Sequence, residues 1–145
     1  MRPAYVLDTD VMVAATRSRK GASRQLLIGA LENTFDILLS VPLLLEYEAV
    51  LTREQHLVAS QTNRTNIEKL LNEIVSVARL VPLDFRWRPQ VADPGDDMVL
   101  ETAINGQASA IVTFNLRHFE RVGLRFGTPA IQPRQALARL RGIQE

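Results

Sequence analysis

The sequence predicts an α/β domain in which a mainly parallel sheet is covered by helices on both faces. Short apolar runs alternate with longer amphipathic stretches along the chain, the pattern of successive strand–helix units. The 145 residues, 46% hydrophobic and 23% charged, suffice for one buried core. No repeat, low-complexity tract or linker divides them, so residues 1–145 read as a single domain.

The elements follow in order. "YVL" (Tyr5 to Leu7) reads as a short buried strand. "GASRQLLIGALEN" carries Leu26, Leu27, Ala30 and Leu31 at helical spacing, with Ser23 as its expected cap. "FDILLSV" reads as the second strand, and "PLLLEYEAVLTR" as a helix whose Pro42 suits a first turn. The stretch from Thr62 to Arg79 is a long amphipathic helix, with Ile67, Leu70, Leu71, Ile74 and Val75 along one side. "RLVPL" is a short strand and "FRWRPQVADPG" a loop. "DDMVLETAINGQA" is a helix, "SAIVTF" a strand, "NLRHFERVGL" a loop with a helical turn, and "PRQALARLRG" a closing helix.

Composition narrows the chemistry. The chain has no cysteine, which excludes disulfides and thiolate metal sites. No apolar run approaches a membrane span, and the N-terminal one is short and carries two aspartates, unlike a secretory leader. The expectation is a cytoplasmic protein. A net charge of +1 favours no partner, although all but two of the 17 basic residues are arginine, a side chain suited to bidentate phosphate contact. Such arginine usage can equally reflect a GC-rich genome.

In parallel sheets, ligands gather beyond the carboxyl ends of the strands. Asp8 directly follows the first strand and Asn115 follows "AIVTF", although both residue types also simply start turns. In "DPGDDMVLETAI", Asp93 serves as a helix cap, Pro94 as first helical residue, and acids in the first turn suit the helix dipole. At about 100° per residue, Val99, Leu100, Ala103 and Ile104 define the buried stripe, with Asp96 near its centre and Asp97 toward its edge. Capping does not explain a carboxylate on the core face. On "PLLLEYEAVL", Glu46 and Glu48 lie near opposite edges of the apolar stripe, and spacing does not choose between them.

If Asp8, one of these glutamates and Asp96 converge, their mutual repulsion calls for a cation. Oxygen-only ligands favour Mg²⁺ or Mn²⁺ over Zn²⁺, and such an ion suits hydrolysis of a phosphate ester. His56 and His118 have no ligand spacing to one another. Arg17, Arg19, Lys20 and Arg24 could touch a phosphate backbone or line a solvated loop. Trp87, between Arg86 and Arg88, could stack on a base or pack in the core.

Two families share features with these segments. "YVLDTDVMV" resembles the opening motif of haloacid-dehalogenase-type phosphatases, which would make Asp8 a nucleophile and Asp10 an acid/base. That family's late metal motif follows an apolar strand, whereas "RWRPQVADP" precedes "GDD" here, and Lys69 is the one lysine between the motifs outside Lys20's loop. The fuller resemblance is to the PIN domain, in the compact prokaryotic branch of VapC-like toxins of toxin–antitoxin pairs. "VLDTDVMVAA", "GASRQLL", "LLSVPLLLEYEAVL" and "DPGDDMVLETAINGQASAIVTFNLRHF" resemble its motifs in order over nearly the whole chain.

That resemblance implies a three-layer α/β/α fold and a metal-dependent endoribonuclease acting on RNA. It implies Asp8, Glu46 and Asp96 as acids holding Mg²⁺ or Mn²⁺, with Asp97 as a further ligand and Asn115 in a fourth position where many relatives carry Asp. Thr113 would orient the site, and Arg17, Lys20 and Arg24 would contact substrate. An antitoxin protein and a homodimer are the implied partners. Position 10 is usually Asn in the family and is Asp10 here. With Asn115, a degenerate domain acting as a binding module is the third alternative.

Overall fold

The computed structural model describes residues 2–84 and 94–142, with the side chains at 94–96, 121, 122 and 124 outside the description. Five strands, β1 (Ala4–Leu7), β2 (Asp36–Leu39), β3 (Arg79–Leu80), β4 (Ala110–Val112) and β5 (Ala130–Ile131), make one sheet in the order β3-β2-β1-β4-β5. Every pairing is parallel, with Tyr5 opposite Ile37 and Val6 opposite Ile111. All residues of β1 and β4 are buried whichever way their side chains point, so both faces of the sheet are covered. The chain runs outward from β1 to β3, then returns to lay β4 against the other side of β1. Between β1 and β4 the strand order reverses, the point at which parallel sheets form a crevice beyond the carboxyl ends of their strands.

Around the sheet lie α1 (Thr9–Arg17), α2 (Ala22–Leu31), α3 (Val41–Leu51), α4 (Glu54–Ala59), α5 (Arg64–Val77), α6 (Pro94–Gly106), α7 (Leu116–Phe126) and α8 (Pro133–Leu140). Helix α1 packs on α2 and α3, and α6 packs on α3 and on the central strands. Helix α3 begins as expected: Ser40 caps it by accepting from the Leu43 amide, and Pro42 occupies the first turn. Its Leu43, Tyr47 and Leu51 enter the core. Asn63 caps α5 in the same way, through the Asn66 amide at 2.9 Å. The helix therefore starts two residues later than its periodicity predicts.

Four differences from the sequence reading have physical causes. Helix α1, which the reading left without an element, starts at once after β1 because Asp8 caps it. Its Val11, Met12 and Ala15 bury at helical spacing. The N-cap of α2 is Gly21, not Ser23, which is buried inside the first turn. The expected loop after Asn115 is instead the eleven-residue helix α7. It ends at Gly127, whose φ of 69° closes the helix as its amide donates a hydrogen bond back to the Gly123 carbonyl. Gly123 itself lies against the Thr128 carbonyl, where a Cβ would come within 2.5 Å of the oxygen. The fourth, β5, is two residues long and too brief to show a period. The expected Asp93 cap and the Arg86–Trp87–Arg88 segment lie outside the described residues.

Candidate active site

At the carboxyl ends of β1 and β4 the chain brings two aspartates together. Asp8 ends β1 and is 5% exposed. Its amide donates to the Val112 carbonyl of β4 at 2.9 Å, which ties it to both central strands. As the cap of α1, its Oδ1 accepts from the Thr9 amide at 2.8 Å. Its Oδ2 accepts from the Thr113 hydroxyl at 2.7 Å. That hydroxyl, its proton committed to Asp8, accepts in turn from the Asn115 amide at 2.9 Å.

Asp10, the second residue of α1, lies beside Asp8. Its Oδ2 accepts from the Phe114 amide and from the Asn115 side-chain Nδ2, each at 3.0 Å. Its Oδ1 is buried and accepts no hydrogen bond. Burial, and then the neighbouring Asp8 carboxylate, push the Asp10 pKa up to about 7. Burial also raises Asp8, opposed by the hydrogen bonds from Thr113 and Thr9 and by the nearby charge of His118 on α7. Beneath them Tyr47, fully buried on α3, donates its hydroxyl to the Leu7 carbonyl. Burial and the two aspartates hold its pKa well above the usual range, so it remains a donor.

Of the residues singled out from sequence, Asp8, Thr113 and Asn115 come together here. Glu46 is half-buried on α3 beside Tyr47, while Glu48 is exposed. Asp97 stands buried in the first turn of α6, deeper than a position at the edge of an apolar stripe, and Glu101 one turn later is fully buried. A helix packed against the sheet, α3 and α7 at once buries more than one stripe. The Asp96 side chain lies outside the description. Among the described residues, no three acidic, histidine or cysteine side chains gather closely enough to enclose a metal ion.

The basic residues sit elsewhere. Arg17 donates from Nε to His56 Nδ1 at 3.2 Å. Arg24 binds the Ala15 and Thr16 carbonyls at the end of α1. Lys20 is exposed between α1 and α2. Arg17 and Arg24 line a groove of about 520 Å³ with Leu27, Leu31 and Ile67, at the opposite end of α1 from Asp8.

The sequence pattern of PIN domains matches residues 4–117, from the first residue of β1 through β4 and into α7. The chain belongs to the PIN domain family. Among solved structures it is similar to a chain of VapBC2 from Rickettsia felis, a structure solved bound to a DNA fragment from the promoter. The TM-score is 0.61 at 15% sequence identity, covering 89% of this chain and 98% of that one. This likeness is one of fold. No curated protein sequence matches the chain. Family membership replaces the haloacid-dehalogenase reading of "YVLDTDVMV". The sequence names Asp10 without placing it; the structure puts it beside Asp8, bonded to the Phe114 amide and to Asn115. Its signal was available: an acid two residues after a strand-ending aspartate shares the crevice once that aspartate caps a helix.

Proposed function

We propose that this PIN domain is a metal-dependent endoribonuclease, the toxin of a toxin–antitoxin pair. The observation that carries the reading is the Asp8–Asp10 pair, two aspartates at the point where the strand order reverses, with Asp10 Oδ1 buried and without a donor. A buried carboxylate oxygen of that kind suits a cation. Mg²⁺ commonly takes only one or two protein carboxylates and fills its remaining positions with water and substrate phosphate. The all-oxygen donor set fits Mg²⁺ or Mn²⁺. Asp8 and Asp10 would hold the ion, with Asn115 beside Asp10; the family resemblance adds Glu46, Asp96 and Asp97 as further acids, of which the described ones do not close on the pair. When bound, such an ion supplies positive charge at the phosphoryl oxygens and eases ionisation of water.

The protein's own groups do the positioning. Thr113 and the Thr9 amide fix the Asp8 carboxylate, while the Phe114 amide and Asn115 fix one oxygen of Asp10 and leave the other buried without a donor. Tyr47 holds the end of β1 against α3. The positive end of α1 offsets part of the negative charge. An antitoxin partner accords with the assembly named for the Rickettsia felis relative, and a cytoplasmic homodimer with the family resemblance.

The test is cleavage of end-labelled RNA by the purified protein in Mg²⁺ or Mn²⁺, with EDTA and Asp8→Asn as controls. Scission abolished by both supports the reading. Scission indifferent to both overturns it, and RNA retained without scission under every metal condition assigns the domain to binding instead.

A further inference from the structure

We infer that the pocket beside Asp10 is a nucleobase subsite, in which the base adjoining the scissile phosphate stacks on Phe114; this rests on the ribonuclease reading above. The pocket has a volume of about 340 Å³, near the lower end of small-ligand sites at roughly 300–1,000 Å³. Ala14 lies one helical turn beyond Asp10 on the same face of α1, and it lines the pocket together with Ser18, the residue that ends the helix. Phe114 forms the wall next to the acids, and its own amide donates to Asp10 Oδ2 at 3.0 Å. A phosphate held at the aspartates therefore leaves an attached base within reach of the ring.

The lining matches the chemistry of a base. Phe114 is 48% exposed and is the one aromatic ring among the exposed large apolar side chains of the described residues. A half-exposed phenylalanine ring offers a flat apolar face, the surface on which any base can stack. Pro133 adds a second apolar surface, and Gln132 an amide able to meet a base edge. Arg134 at the α8 end is exposed and supplies positive charge for the backbone of the same strand. An RNA single strand is the occupant these features favour, because splayed bases and flanking phosphates are presented together.

The experiment measures anisotropy of a fluorescein-labelled single-stranded RNA pentamer, and of a counterpart with abasic riboses, in Ca²⁺ with the RNA shown intact by gel, and in EDTA as a control. Phe114→Ala and Phe114→Leu should each weaken binding of the base-bearing RNA by about 5- to 100-fold, the range for loss of one base–aromatic stack. Both should leave abasic RNA binding unchanged. Phe114→Trp should retain affinity and show indole quenching on RNA addition beyond that of the parent protein. The leucine variant keeps apolar bulk without the π face and an unchanged backbone amide, so it separates stacking from packing. Leucine binding as well as phenylalanine, or abasic RNA binding as tightly as base-bearing RNA, overturns the subsite. Base-dependent binding without scission in any metal would uphold the subsite while refuting the nuclease. Metal-dependent scission indifferent to Phe114→Leu would do the reverse.

Discussion

Replacing Thr113 with valine removes one hydroxyl and keeps the shape of a side chain that is fully buried at the end of β4. The hydroxyl makes two bonds: it donates to Asp8 Oδ2 at 2.7 Å and accepts from the Asn115 amide at 2.9 Å. A hydrogen bond to a charged group contributes about 1.5–3 kcal/mol, and the stranded Asn115 amide adds about 1 kcal/mol more. The valine methyl recovers part of this by removing the cost of burying a hydroxyl. The net loss should be about 2–4 kcal/mol, or a melting temperature lower by roughly 5–15 °C for a domain of this size. Thr113→Ser keeps both bonds and loses one methyl, for about 1 kcal/mol. Urea unfolding in EDTA, followed by circular dichroism, measures both variants against the parent protein. Because Thr113 orients a carboxylate proposed to hold the cation, the valine variant should also bind Mn²⁺ about 10- to 100-fold more weakly. Equal stability and equal Mn²⁺ affinity for valine and serine would refute the claim that this hydroxyl organises the site.

Three further outcomes are expected. Asp10→Asn should raise the free energy of unfolding in EDTA by about 1–3 kcal/mol, because it removes a half-buried charge beside Asp8, yet weaken Mn²⁺ binding at least about tenfold by calorimetry; a destabilised variant with full Mn²⁺ affinity would contradict both statements. His56 is buried between α1 and α4, bonded to Thr16, Arg17 and Ser60, and burial, followed by the Arg17 charge, lowers its pKa. The unfolded chain therefore takes up the proton first, and stability should fall as pH drops below about 6.5, levelling off below the folded pKa; a urea-midpoint profile for His56→Gln as steep as the parent's would exclude this residue as the cause. Gly123→Ala should cost about 1–3 kcal/mol in the same unfolding assay, since its Cβ would meet the Thr128 carbonyl at 2.5 Å, and an unchanged midpoint would show that α7 shifts freely.

Much of the fold was legible because apolar runs such as "YVL" and "FDILLSV" bury on both faces and stand out against helical stretches. Helix α1 was not, since "DTDVMVAATR" begins with β-branched and acidic residues whose helical character depends on the Asp8 cap. The same gap left the placement of Asp10 open: its partnership with Asp8 exists only when a helix turns the chain back across the strand end. Asp8 and Asn115 were legible from the rule that sites lie beyond strand ends. Helix α6 misled a single-stripe reading, because it packs on the sheet and on two helices and so buries Asp97 and Glu101 as well. The choice between Glu46 and Glu48 was never in the spacing, as both flank Tyr47. Their unequal burial emerges only once Tyr47 is anchored to Leu7.

The central claim is that the Asp8–Asp10 pair is a cation site, and a crystal soaked in Mn²⁺ tests it most directly through the anomalous signal of the ion. The account predicts a peak in the crevice between β1 and β4, with carboxylate oxygens of Asp8 and Asp10 at coordinating distance, about 2.0–2.3 Å. A fully soaked crystal whose manganese binds elsewhere, with both carboxylates uncoordinated, would contradict it.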